Sequence, residues 1–496
     1  MDPVPARSLG PLKGDLHALP THLYPVPLYG GPALPDRRVK GTRTRTGRGR
    51  LAPPSGFRLP NMPGRRVPVR AFVGPGGCGK TLLALGQSYS GGHNWDPYLW
   101  SYTDIRWVSA RDEASLEAGL MNVLRHLHRP AEPPAPGDGE ASLEDLVLNR
   151  LHAPAWRWLL ILDGLDDPDL LQRVQAPGGI LRERTPPFPW RADGRILITS
   201  RIADRSAWGR WISVAEVTPW HSDPAVELLR LQTGAGPEHD PELTELAARL
   251  RRLPLALRLA GRHVHSLTAS TQTSHREGIA ALRTALDRAP ALDRAPARPA
   301  DVGGTVLRGI VGALCESSLD HLEGQGLRRA RPVLALLALC AAEPVPEAFL
   351  KLSASAATPV AGGTRISEEE LERTVAGLRE IGLAHGRSFV TVDPLVREAM
   401  RAALDHEPAE ALALHGCLLD MLESAVLSVD PEDPAQAPWW PALAPHLCAA
   451  SDHPGAAEPG RTARLSTAAE VLAANLRRHG HVRTADRVAR AAALGA

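Results

Sequence analysis

Gly74-Pro75-Gly76-Gly77-Cys78-Gly79-Lys80-Thr81 is the stretch whose reading decides the fold. It fits the spacing G-x-x-x-x-G-K-[ST], and its flanks give that spacing meaning. Residues 67–73 are a short apolar run that reads as a buried strand, and residues 81–87 carry a helical pattern. The glycines let the backbone curl until its N–H groups converge, which suits the oxygens of a phosphate chain. Lys80 would neutralise the β- and γ-phosphates, the Thr81 hydroxyl would ligate Mg²⁺, and the helix N-terminus would add its positive end. Gly74, Gly76, Gly77, Cys78, Gly79, Lys80, Thr81 and Leu82 are therefore the expected ligand contacts, with Thr81 also a metal ligand. The Cys78 side chain sits where variation is free, and no role is assigned to it.

Working outward, residues 105–109, 158–162 and 195–199 are further apolar runs with strand character, and residues 115–126 are helical. Strands alternating with helices imply a parallel sheet with helices on both faces. A stretch rich in Pro, Gly and acidic residues, 129–141, interrupts this region as an expected surface loop. The run Leu159-Leu160-Ile161-Leu162 ends in Asp163, a carboxylate at the carboxyl end of a strand, where it could hold Mg²⁺ through water. Gly164 follows, where an acidic residue would polarise an attacking water. Hydrolysis would then fall to Asp166 or Asp167, and Asp163 and Asp166 are the expected catalytic pair. The run Arg195-Ile196-Leu197-Ile198-Thr199-Ser200-Arg201 puts a cation at the same sheet edge, where open α/β folds bind ligands. Arg252-Leu253-Pro254-Leu255-Ala256-Leu257 places a proline inside a helical region, so Pro254 should mark a helix start or serve a purpose.

Beyond residue 221 the strand signal fades. Helical patterns cover 224–232 and 241–265, and the hexad Ala-Leu-Asp-Arg-Ala-Pro then occurs twice, at 285–290 and 291–296, as a linker candidate. Helices follow at 306–315 and 331–342. The amphipathic helix 368–381 with short strands at Leu383-Ala384 and 389–392 has the layout of a winged helix, and the remainder is helical. Residues 469–492 place small and apolar side chains as a tetratricopeptide hairpin does.

Composition limits the alternatives. With 496 residues the chain should form two to four domains, and a net charge of +2 gives no global electrostatic argument for nucleic acid or membrane. Residues 1–64 are rich in Pro, Gly and Arg and lack a sustained period; residues 37–70 are basic, and no aromatic residue interleaves the arginines from Arg37 to Arg50 for base stacking. Five scattered cysteines without CxxC spacing read as free thiols of a reducing compartment. The longest apolar run, 333–342, is about half a spanning helix. A cytoplasmic protein is expected.

Taken in order, the loop 74–81, Asp163, the Thr199-Ser200-Arg201 strand end and Leu253-Pro254-Leu255-Ala256 resemble the NB-ARC class of STAND nucleotide switches over residues 67–400. Residues 105–110, Ile-Arg-Trp-Val-Ser-Ala, look like the family's second strand. The resemblance implies an α/β P-loop NTPase followed by a helical subdomain, a winged helix and C-terminal helical hairpins, with boundaries 1–64, 65–220, 221–304, 305–405 and 406–496. It implies ATP or ADP with Mg²⁺, Arg201 as γ-phosphate sensor and Pro254 against the adenine. It also implies weak or absent hydrolysis, self-association in the ATP state, and a protein partner on the C-terminal helices. Two departures are visible. Val392 stands where the family has a histidine beside the retained Asp393, implying a looser grip on ADP. An adenine-side element before the loop has only a faint echo at Leu28-Tyr29-Gly30-Gly31. Two other readings are a DNA-binding regulator, opposed by the acidic start of helix 368–381, and an ATPase with real turnover, opposed by Gly164.

Overall fold

The computed structural model describes residues 69–89, 104–127, 142–152, 158–183, 194–288, 302–354, 366–386, 388–453 and 459–494. The basic arm up to residue 68, the echo at Leu28–Gly31 and the loop 129–141 lie outside them. Arg70, the last arginine of the basic stretch, belongs to a strand.

Five parallel strands form one sheet: β1 (Val69–Val73), β2 (Asp104–Ser109), β3 (Trp158–Asp163), β4 (Gly194–Ser200) and β5 (Ser213–Glu216), in the order β2-β3-β4-β1-β5. Every residue of β3 is buried. Because side chains alternate across a strand, Leu159 and Ile161 enter the apolar core on one face, and Leu160 and Leu162 that on the other. The second face is covered by α2 (Glu113–Leu127), α3 (Leu143–His152) and α4 (Pro168–Gln175). Leu160 is fully buried here, so Leu160→Ala should destabilise the fold by about 3 kcal/mol through lost transfer energy and a cavity. Chemical denaturation would measure it, and a loss under about 1 kcal/mol would show that this face repacks freely.

The four sequence-predicted strands are present within a residue or two. β5 was missed because it is short, half-exposed and polar; only its pairing with β1 makes it a strand. α3 and α4 were also missed, the first lying directly beyond a stretch of sequence rich in Pro and Gly.

The rest is helical. The expected helix at 241–265 is two: α6 (Asp240–Arg249) and α7 (Pro254–Thr271), after α5 (Ser222–Thr233). Between them Arg251 and Arg252 adopt φ of 55° and 52°, and Pro254 opens α7, where its missing N–H and fixed φ do no harm. The linker expected at 285–296 is corrected in part: α8 (His275–Arg288) takes in the first Ala-Leu-Asp-Arg, and a helix tends to stop short of a proline such as Pro290. Residues 289–301 lie outside the described chain.

Next come α9 (Val302–Gly324), α10 (Ala330–Leu339), β6 (Val345–Pro346), α11 (Glu347–Lys351), α12 (Glu368–Glu380), β7 (Phe389–Val390) and α13 (Pro394–Leu404). The strand expected at Leu383-Ala384 is not formed; both residues are buried in the turn after α12, and a single bridge joins His385 to Thr391. β7 pairs antiparallel with β6 instead. α14 (Pro408–Ser428), α15 (Trp439–Ser451), α16 (Pro459–Arg478) and α17 (Val482–Leu494) complete the chain. The core on the first face of the sheet continues through all these helices. Among the described residues α14 alone is long and apolar enough to cross a membrane, and 61% of its apolar window is buried inside the protein.

Candidate functional site

Strand order brings the sequence-predicted residues together. β4 lies between β1 and β3, so the carboxyl ends of all three meet. The loop 74–81 leaves β1 and enters α1 (Lys80–Tyr89), while Asp163 ends β3 and Ser200 ends β4. A cavity of about 150 Å³ opens there. Gly76, Gly77, Gly79, Lys80, Thr81 and Leu82 line it with Asp163, Asp166, Arg201 and Pro254. Gly79 has φ +99°, a conformation that only glycine takes readily, and its Cα faces the Pro254 ring.

Lys80 is buried, and its Nζ donates to the carbonyl oxygens of Gly74 and Pro75, both at 2.8 Å. The cation is thus folded back on its own loop, in reach of any anion the loop admits. Asp163 is also buried; its Oδ1 accepts from Thr81 Oγ1 at 2.9 Å and from Thr199 Oγ1 at 2.6 Å. Thr199 Oγ1 accepts in turn from the Gly164 N–H at 2.8 Å. A hydroxyl and a carboxylate held this close are hard oxygen donors suited to Mg²⁺, which takes few protein ligands and leaves its other positions to water and phosphate. The residues therefore fit the metal the loop implies. Among the described residues no group of three or more His, Cys, Asp or Glu forms a separate metal cage.

Two expectations change. The Cys78 side chain is not at a free position: it is 1% exposed and packs into the core, where burial pushes the thiol pKa up. Only its backbone remains available to a ligand. Asp166 reaches the cavity, but both its oxygens are engaged by Arg201, Oδ1 accepting the backbone N–H at 2.7 Å and Oδ2 facing Nε at 3.2 Å. Asp167 caps α4 by accepting the Asp169 N–H. Neither is placed as a free base. Gly164 has φ +80°, and a Cβ there would lie 2.8 Å from Arg111 Cγ, so the backbone itself disfavours an acidic side chain.

Arg201, expected to sense a phosphate, lines the cavity, and its Nη1 donates to Glu398 of α13 at 2.6 Å. Burial disfavours the charge, but Glu398 and Asp166 outweigh it and raise the guanidinium pKa. Several residues were missed by sequence reasoning. Leu395 lies within 3.2 Å of Cβ positions at Gly76 and Gly77, and Leu255 donates its N–H to the Gly77 carbonyl. Arg111, Arg258 and Pro394 also line the cavity. Asp393, which the sequence singled out, caps α13 by accepting the Leu395 N–H at 3.0 Å and lines the same cavity. Val392 is buried and does not line it. Arg258 carried a weak signal, standing one helical turn after Pro254.

No family model matches the chain. A nucleotide-binding leucine-rich repeat (NLR)-like protein from Hyaloscypha variabilis is 28% identical over 204 residues, which cover 39% of this chain and 19% of that protein. The chain thus matches less than a fifth of the length of that curated relative. Among solved structures, a STAND protein with a tetratricopeptide repeat sensor from Pyrococcus horikoshii matches with 13% identity and a TM-score of 0.38, covering 85% of this chain and 60% of that one. A Walker-type ATPase of Pyrococcus abyssi matches with 15% identity and a TM-score of 0.30, covering 68% and 91%.

Proposed function

We propose that this P-loop NTPase of the NB-ARC and STAND class is an adenine-nucleotide switch, closed with ADP and released by exchange for ATP. The observation that carries the reading is the sharing of Arg201 between two parts of the chain. Asp166 holds it from the sheet and Glu398 holds it from α13, 197 residues further on. A γ-phosphate bound by the loop would compete with Glu398 for the same guanidinium, and a ligand moves an equilibrium by its differential affinity for the two arrangements.

Residues 65–220 would bind nucleotide, 221–304 form the helical subdomain, 305–405 the winged helix and 406–496 a tetratricopeptide-like tail. The order α10, β6, α11, α12, β7 supports the winged helix, and the turn at Gly480 between α16 and α17, φ +79°, supports a helical hairpin. Lys80, Thr81 and Asp163 would hold the phosphates and Mg²⁺, which supplies charge neutralisation there, and Pro254 would pack on the base. Gly164 and the engaged Asp166 support slow or absent hydrolysis. Self-association in the ATP state, a protein partner on the tail and a cytoplasmic site belong to the same proposal. The DNA-binding alternative draws no support from α12, whose first turn is Glu368, Glu369 and Glu370, sited where phosphates would approach.

The test is the full chain with ADP or a non-hydrolysable ATP analogue, by calorimetry and light scattering, beside Glu398→Gln. The Arg201–Glu398 pair is about one-third exposed, so its loss is worth about 1 kcal/mol. The variant should therefore favour the ATP analogue over ADP about fivefold more than the parent does. Absence of any adenine-nucleotide binding by the parent would sink the reading, and an unchanged ratio would remove Glu398 from it.

A further inference from the structure

Arg258 has no part in the reading above, yet its surroundings are unlike those of an ordinary interior arginine. It stands on α7 four residues after Pro254, hence on the same helical face, and lines the cavity with Lys80, Thr81 and Arg201. Its Nη2 lies 3.0 Å from His385 Nε2. A guanidinium only donates, so that ring nitrogen accepts and is unprotonated. Its Nε is shut off from solvent without a hydrogen-bond partner. A cation so placed, answered by a neutral ring and by the field of Asp393 with no direct ion pair, is incompletely compensated. Burial lowers its pKa, Asp393 opposes the shift and Arg262 adds to it.

The neighbouring Arg262, one turn further along α7, shows what a satisfied partner looks like. Its Nη1 donates to the carbonyls of Arg379 and Glu380 at 2.9 and 3.1 Å, closing the C-terminal end of α12. Both arginines thus tie α7 to the segment 366–405. The one that ends at the cavity is the one with an unanswered N–H.

We propose that Arg258 is a ligand for the phosphate tail of the bound nucleotide, and that its bond to His385 reports that ligand to the turn between α12 and β7. The residue is only partly buried and lines the cavity, so an anionic oxygen there would meet the guanidinium from its open side and answer the charge that its other neighbours leave uncompensated. α7 would then carry a contact at each successive turn: Pro254 against the loop at Gly79, Arg258 on the phosphates and Arg262 on α12. The proposal rests on the nucleotide reading and concerns one residue that reading does not need.

The test is calorimetry on the full chain with adenosine, AMP and ADP in the presence of Mg²⁺, for the parent and for Arg258→Gln. The variant should lose ADP affinity tenfold or more while its adenosine affinity changes less than threefold. Should Arg258→Gln not fold, Arg258→Lys serves, since it keeps the charge and loses the fork; ADP should weaken at least threefold relative to adenosine. A folded variant whose ADP-to-adenosine ratio equals that of the parent overturns the proposal and leaves the nucleotide reading standing. A parent that binds none of the three overturns both.

Discussion

Lys80→Ala is expected to weaken nucleotide binding by two to three orders of magnitude and to leave the fold in place. The Lys80 ammonium is held at 2.8 Å by two carbonyls of its own loop, Gly74 and Pro75. These neutral acceptors keep a buried cation tolerable without consuming its charge, so a phosphate oxygen can displace them at modest expense. Charge-assisted hydrogen bonds are worth about 1.5–3 kcal/mol each, and two of them correspond to about 3–6 kcal/mol before the displaced carbonyl contacts are subtracted. At about 1.4 kcal/mol per tenfold in affinity, the net loss is about a hundred- to a thousandfold. Calorimetric titration with ADP and Mg²⁺, alongside the unliganded melting temperature, separates affinity from folding. An ADP affinity within threefold of the parent would mean the loop does not grip phosphate. Alanine also removes a buried ammonium, so the melting temperature of the unliganded variant should fall little.

Acidification should weaken the fold through histidines far from the loop. His263, His415 and His446 are all nearly inaccessible. Burial lowers their pKa to about 4, about 4 and about 3, with His321 adding to the shift at His263 and Arg397 at His446. In the unfolded chain each titrates near its ordinary 6.5. Below that pH the unfolded chain takes up protons that the folded chain refuses, so stability falls as pH drops from 6.5 towards 4. At pH 5 each residue contributes a loss of about 2 kcal/mol, and the three together about 6 kcal/mol as an upper bound. Against a typical total of about 5–15 kcal/mol this is decisive. The melting temperature should drop between pH 7.5 and pH 5 by on the order of ten degrees. His446→Gln should flatten that drop, because it removes one titrating group; its imidazole Nδ1 accepts the Ala341 N–H at 3.2 Å, so some stability at neutral pH goes with it. A melting temperature constant over this range would contradict the assignment.

The sequence alone determined what local chemistry can specify. The loop 74–81 is legible because its glycines, lysine and threonine are required by the conformation and the ligand, whatever surrounds them. β3 and β4 are legible because strands buried on both faces must be almost continuously apolar, and Asp163 because it breaks such a run. Pro254 was legible as a helix start or a residue with a purpose, since proline fixes its own φ and lacks the N–H that the helix interior needs; that it divides the pattern 241–265 into two helices was not. Tertiary structure alone decided the rest. β5 has no apolar signal and exists by pairing with β1. β6 and β7, two residues each, depend on one another across more than forty positions. The Cys78 side chain turns into the core because of what packs beneath the loop, and Asp166 is taken by Arg201 because β3 and β4 are neighbours. The reach of Glu398 to Arg201 and of Arg258 to His385 depends on how α13 and the α12–β7 turn close over the sheet edge. Those are contacts between residues more than a hundred positions apart, and no local periodicity encodes them. A phosphate-binding loop can therefore be read from eight residues, whereas the Glu398 that meets Arg201 and the Arg258 that lines the same cavity appear only once distant segments are packed against its open side.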